Sequence, residues 1–215
     1  MNHDPFARDG LEMVPPRRPA FDRDLLRQSA LTVAPMLLGA TITCSGVTVR
    51  LTEVEAYLGA EDPGSHAFRG PTPRNAPMYG DAGHLYCYFT YGMHTCANVT
   101  TGPVGSAQAV LLRAGEVVGG VALARSRRTT SRIDPDLARG PARLTVALGI
   151  TLDDSGVDLG SGRVQLELAP EPAHYGSGPR TGVSGPGGSL DYPWRFWIPN
   201  ESSVSPYRRS VVRKT

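Results

Sequence analysis

"ATITCSGVTVRLTEVEAYLG", residues 40–59, sets β-branched and apolar residues on both sides of Ser45-Gly46. A small turn pair between two such runs is a hairpin signal. The stretch therefore predicts two antiparallel strands, the second running on to Tyr57. Alternate side chains of a strand share a face. Val49, Leu51, Glu53, Glu55 and Tyr57 fall on one parity, and Arg50, Thr52, Val54 and Ala56 on the other. Strict alternation thus places two carboxylates on the face that Val49 and Leu51 would bury. A lone buried carboxylate costs roughly several kcal/mol unless partners satisfy it, so that face needs a reason to carry two.

The neighbouring sequence supplies the rest of a mixed fold. "DLLRQSALTVAPMLLG" (24–39) reads as one or two short helices stopped by Gly39. "HLYCYFTYGMHTCANVT" (84–100) is a second hairpin, with aromatic and β-branched residues around Tyr91-Gly92. "AQAVLLRAGEV" (107–117) has the apolar run of an interior strand, and "RVQLELAP" (163–170) and "PWRFWIP" (193–199) read as late short strands. "GGVALARSRR" (119–128) and "GPARLTVALGI" (140–150) read as helices, the second with Pro141 near its first turn. Residues 59–83 and "YGSGPRTGVSGPGGS" (175–189) read as loops. The latter lacks the Gly-Lys-Ser/Thr of a phosphate-binding loop, which removes that reading.

A chain of 215 residues with 40% hydrophobic and 20% charged residues suits one globular domain. The expected division is a leader over residues 1–20 and a single domain over 21–215. The leader has no apolar core of a secretory signal, and no stretch has the ~18 apolar residues of a membrane span. The sequence therefore points to a cytoplasmic protein without a membrane partner. Its charge is uneven. Between Arg113 and Arg143 seven arginines face Glu116, Asp134 and Asp136, a surplus of four positive charges. Two readings of this segment stay open, an anion-binding surface and a solvated helix face.

Cys44, Cys87 and Cys96 are odd in number and form no C-x-x-C, so no disulfide framework is expected. His84, Cys87, His94 and Cys96 are close in sequence, but in a strand His84 and Cys87 point to opposite faces, which argues against shared zinc ligation. The expectation is no metal and no cofactor. Tyr86 and Tyr88 share a parity and Tyr91 sits at the turn of its hairpin. Tyrosines beside arginines suit stacking on bases, and equally an ordinary half-buried sheet.

Taken in order, Glu53-x-Glu55-Ala-Tyr57, His66, "TPRN" (72–75), "YCYFTYGM" (86–93) and "AVLLRAGEV" (109–117) resemble the alkyladenine (3-methylpurine) DNA glycosylase family. The dense likeness covers about residues 50–117 and continues more weakly through "RGPARLTVALGI" and "PWRF". It implies a mixed α/β (α+β) fold, one compact domain around a curved antiparallel sheet with a protruding β-hairpin. It also implies excision of alkylated or deaminated purines, 3-methyladenine and hypoxanthine among them, from double-stranded DNA. Such chemistry needs the nucleotide turned out of the stack, and the resemblance implies an enzyme that works as a monomer and is nucleoid-associated if bacterial.

The resemblance assigns roles residue by residue. Glu55 matches the general base that activates water, and Arg113 a residue that helps hold it. Tyr57, His66 and Tyr88 match the pocket around the everted purine, with the His66 main-chain N–H reading its edge. Asn98 matches the side chain that crowds the 2-amino group of guanine. Tyr91, with Met93 beside it, matches the intercalating wedge, and Arg74, Arg125, Arg128 and Arg143 are the candidates for the DNA backbone. Glu53 receives no family role and is expected to be a hydrogen-bonded structural carboxylate. "RTGV" (180–183) departs from the family's usual Arg-Ile-Gly, which leaves the far wall of the pocket open.

Two other classes fit parts of the pattern. A non-catalytic module binding damaged nucleic acid would need the arginines and tyrosines but not Glu55. A sugar hydrolase using Glu53 and Glu55 as its pair would need them to flank a bond, whereas residues two apart on a strand point the same way. The lysine count bears on mechanism. The sole lysine is Lys214, so water rather than an amine is the expected nucleophile.

Overall fold

The computed structural model describes residues 20–90 and 92–210. Its centre is an eight-stranded sheet in which every pairing is antiparallel. The strands are β1 (Thr41–Cys44), β2 (Val47–Tyr57), β3 (Leu85–Thr90), β4 (His94–Thr101), β5 (Gln108–Gly119), β6 (Val164–Glu167), β7 (Gly176–Gly178) and β8 (Arg195–Trp197). The main path runs β3-β4-β5-β2-β1-β6. One edge of the long β2 is shared, β1 pairing with Val47–Arg50 and β8 with Glu53–Glu55. Four helices complete the domain, α1 (Arg23–Leu26), α2 (Ala30–Met36), α3 (Val121–Arg127) and α4 (Pro141–Leu148).

Both hairpins, the interior strand and the paired helices fall where the sequence puts them. The turn at Ser45-Gly46 takes positive φ at both residues, +46° and +80°, the geometry that matches the twist of a two-residue hairpin. The 175–189 loop differs from expectation, because its first residues form β7 on β8. The glycines at 176 and 178 leave room for the Trp197 ring, which lies 3.0 Å and 3.3 Å from where a Cβ would be.

The strict alternation expected along β2 does not hold. Val47, Val49 and Leu51 enter the main apolar core, and then Val54 and Ala56 do, so the parity slips by one at Thr52. The cause is a pair of irregularities against β5. Leu51 pairs with Gly115 and Glu53 with Ala114, leaving Thr52 extra; Glu53–Ala114 is followed by Val54–Leu112, leaving Arg113 extra. A bulge of this kind re-aims the side chains beyond it. Gly115 permits the close approach, since a Cβ there would lie 2.4 Å from the Arg50 carbonyl oxygen. Glu53 and Glu55 therefore leave the face of Val49 and Leu51, and the sheet beyond the bulge has two different sides. Ala56, Val110, Val99 and Leu85 form one cross-strand row, all in the core. The adjacent row is Glu55, Leu111, Asn98 and Tyr86.

Candidate active site

That second row floors a cavity of about 610 Å³. Its walls come from the 63–66 turn, Tyr57, Tyr88, Cys96, Arg113 and residues 181–184. Glu55 is wholly buried from outside solvent and lines this cavity. Its Oε2 accepts the Tyr57 hydroxyl at 3.0 Å and its Oε1 the main-chain N–H of Thr181 at 2.7 Å. The Arg113 Nε lies 3.5 Å from Oε1, an ion-pair distance longer than a hydrogen bond should be. Burial, and next the Glu55 charge, push the Tyr57 hydroxyl well above its ordinary range, so it stays protonated and donates.

Glu53, two residues earlier, is also fully buried but does not line the cavity. Its Oε1 accepts from Arg113 Nε at 2.9 Å, Arg195 Nε at 2.5 Å and the Ser205 hydroxyl at 3.0 Å; its Oε2 accepts the Ser205 N–H at 2.6 Å. Two guanidinium groups and two neutral donors answer the buried charge. Arg113 reaches both carboxylates from its bulged position, and that places it between a structural node and the cavity.

The far wall depends on a second buried pair. The Arg180 guanidinium donates to both Asp62 carboxylate oxygens at 2.5 and 2.6 Å, and to the carbonyls of Ala56 and Gly187. It also lies 4.5 Å from the Tyr57 ring centre and 5.1 Å from that of Trp194. Asp62 accepts in addition the N–H groups of Leu58 and Gly64. Gly64 is needed here, as a Cβ would meet an Arg180 nitrogen at 2.5 Å. The pair fixes the loop so that the next residue, Thr181, turns its N–H onto Glu55. Thr181 Oγ1 is buried and has no hydrogen-bond partner among the described residues.

His66 and Tyr88 stand edge to face with ring centres 4.5 Å apart, and Tyr86 stacks on Tyr88 at 5.8 Å. Asn75 holds the His66 loop in place. Its Nδ2 donates to the carbonyls of His66 and Gly70, and its Oδ1 accepts the Thr72 N–H. The His66 ring is partly open at the mouth, yet burial, and next the nearby Arg74, lower its pKa from 6.5; it is neutral at pH 7. Asn98 is oriented by an Nδ2 hydrogen bond to the Tyr86 carbonyl at 3.0 Å. Burial raises the Cys96 thiol, which makes it a poor nucleophile.

The remaining candidates lie at the hairpin or away from the cavity. Tyr91 lies outside the described residues, while Met93 at the same turn is 69% exposed. Arg74 donates to the Phe89 carbonyl and lies over the Tyr88 ring. Arg125 and Arg143 pair with Asp134 and Asp136, and Arg128 donates to the Leu137 carbonyl and Ser131. His84 contacts Asp158 and the Asp81 carbonyl, Cys87 is in the apolar core and Cys96 lines the cavity. Among the described residues no three His, Cys, Asp or Glu side chains converge on a point. Nor is any described helix long and apolar enough to cross a membrane.

Sequence reasoning missed Asp62, Asn75, Arg195 and Ser205, and treated Arg180 and Thr181 only as a departure. All but Asn75 act through a partner distant in the chain, Arg180 from Asp62 by 118 residues and Ser205 from Glu53 by 152. The one local hint is Asp62-Pro63-Gly64, which reads as a turn without revealing its buried cation.

Comparison with known proteins places this geometry in context. The sequence model of a family described as methylpurine-DNA glycosylase matches residues 24–202. A chain of Leifsonia xyli subsp. xyli is 58% identical over 196 residues, covering 87% of this chain and 92% of its own length. One from Nocardia farcinica is 57% identical, with 83% and 87% covered. One from Streptomyces avermitilis is 49% identical, with 93% and 97% covered. All three are provisionally named 3-methyladenine DNA glycosylases.

Proposed function

The chain belongs to the methylpurine-DNA glycosylase family, and from that premise we propose that it removes alkylated or deaminated purines from duplex DNA by hydrolysis. Glu55 is the general base. The observation that carries this reading is a buried carboxylate bordering an aromatic cavity and held on both oxygens by Tyr57 and Thr181. Each oxygen keeps acceptor capacity after those two bonds, enough to orient a water and take its proton. The same negative charge favours the cation-like sugar that forms as the glycosidic bond breaks.

The aromatic wall supports eversion of the base. His66 and Tyr88, edge to face, line the cavity together with Tyr57. Stacking contributes about 1–3 kcal/mol per base, comparable with the few kcal/mol, roughly, that unstacking a damaged base costs. The His66 N–H has no main-chain partner among the described residues and suits an acceptor on the purine edge. A neutral His66 imidazole also tolerates a cationic purine, which is itself a good leaving group. The oriented Asn98 narrows the floor where a guanine 2-amino group would lie.

Arg113 sets a positive charge 3.5 Å from Glu55. Arginine cannot serve as an amine nucleophile, and the sole lysine is Lys214, so the product is an intact abasic site. The test is excision from duplexes containing 3-methyladenine or hypoxanthine, read as strand breaks only after alkali, with borohydride included. Release of the free base without a trapped adduct is expected. Binding without release would leave a damage-recognition module, and a trapped adduct would overturn hydrolysis.

A further inference from the structure

The match to the family's sequence model ends at Ser202, but the cavity wall does not. Residues 203–208 form a strap across its back. The Ser203 hydroxyl meets that of Thr52 at 2.9 Å, and the Val204 carbonyl accepts from Arg139. Ser205 supplies two of the four donors on Glu53, and its carbonyl accepts from Arg195 at 2.8 Å. The strap then emerges at the mouth, where the Arg208 carbonyl accepts the Gly182 N–H and the exposed Arg208 lines the cavity.

The guanidinium of Arg208 differs from those of Arg113, Arg180 and Arg74. Arg113 faces Glu53, Arg180 faces Asp62, and Arg74 is held by the Phe89 carbonyl and the Tyr88 ring. The Arg208 side chain has no hydrogen bond, carboxylate or ring partner among the described residues. It is thus a fixed backbone carrying an unspent positive charge at the cavity entrance. For Glu55 to deliver water to the anomeric carbon, the sugar of an everted nucleotide must sit at that entrance, with a phosphate on either side. A planar guanidinium suits a phosphate group.

We propose that Arg208 binds a DNA phosphate flanking the everted nucleotide, which makes the strap part of the DNA-binding surface. The inference rests on the glycosylase reading. It also links two contacts, because the carbonyl of Arg208 holds Gly182 and the preceding N–H, of Thr181, holds Glu55.

The test compares the full-length protein with Arg208→Gln and Arg208→Lys on duplex DNA containing a tetrahydrofuran abasic analogue, over a range of salt. Losing one phosphate contact should make the slope of log affinity against log salt shallower by about one. It should also weaken binding about tenfold at low salt. Arg208→Lys should retain the slope. In excision assays the loss in Arg208→Gln should appear mainly as a rise in the enzyme concentration needed for half-maximal single-turnover rate. An unchanged slope in Arg208→Gln overturns the assignment. So does equal loss in both variants with a lowered melting temperature, which marks a packing residue. Excision by the parent protein is read separately: absence of excision with a retained slope difference refutes the glycosylase reading alone, and excision with an unchanged slope refutes the phosphate contact alone.

Discussion

Glu53 and Glu55 lie two residues apart on one strand, are equally buried, and lead opposite lives. Around Glu53 two arginines, a hydroxyl and an amide close the shell. Around Glu55 a phenol and one amide hold the group, its nearest guanidinium nitrogen is 3.5 Å away, and a cavity begins. Burial alone therefore does not mark a reactive carboxylate. What separates the two is whether the partners saturate the group or leave it facing space that a substrate can enter.

The largest expected effect tests the open side. Glu55→Gln keeps the shape but cannot accept the water's proton. Single-turnover excision should fall about 10²–10⁴-fold, with damaged-DNA binding and thermal midpoint near those of the parent. A rate within a few-fold of the parent would erase the distinction between the two glutamates.

The closed side should answer in stability. Glu53→Ala leaves Arg113 and Arg195 without their buried carboxylate, a loss expected at about 3–5 kcal/mol in urea unfolding. Glu53→Gln should be milder in chemistry than Glu55→Gln. If Glu53→Gln stopped excision while the protein melted normally, Glu53 would have to be counted with the chemistry.

A smaller effect concerns charge at the mouth. Burial, and next Arg74, lower the His66 pKa below 6.5. Its neutral form is therefore favoured by folding, and that contribution is present above 6.5 and lost as pH falls. Excision of cationic purines should decline on the acid side as His66 gains a like charge. Arg74→Gln should raise the His66 titration midpoint, followed by NMR, and move that decline to higher pH. A midpoint unmoved in the variant would remove Arg74 as a cause.

The smallest effect is expected at Thr181. Its hydroxyl is buried and unpartnered, and its useful bond to Glu55 comes from the main chain. Thr181→Val should preserve that bond and stabilise the protein by about 1 kcal/mol or less. Destabilisation, or a large loss of excision, would show that the hydroxyl serves the open side after all.

The sheet was legible because its strands carry alternation and turn residues, and Glu55, Tyr57, His66, Tyr88 and Asn98 do border one cavity. The parity of β2 beyond Leu51 was not legible, since a bulge depends on the partner strand as much as on its own residues. β7 was hidden because Gly176 and Gly178 carry no strand propensity and pair through their backbone. The structural status of Glu53 was expected, but its reasons lie 142 and 152 residues away, in Arg195 and Ser205. Local patterns cannot report partners brought together only by folding.

The extra residue at Thr52 has a consequence for how this protein can vary. It works as a frame-shift written in space: upstream of it the odd positions serve the interior, and downstream the even ones do. Deleting that one residue would set Val49, Leu51, Val54 and Ala56 on one plain alternation, so the four residues that follow would keep their faces while the bulge against β5 is lost. Straightening the strand with Thr52 kept would do the opposite, turning Val54 and Ala56 toward the cavity and both glutamates toward the oil-like interior. Point replacements along β2 change one position at a time, whereas an insertion beyond the bulge would move every later residue of the strand to the other face. Over this stretch the spacing of the residues carries as much heritable information as their identities.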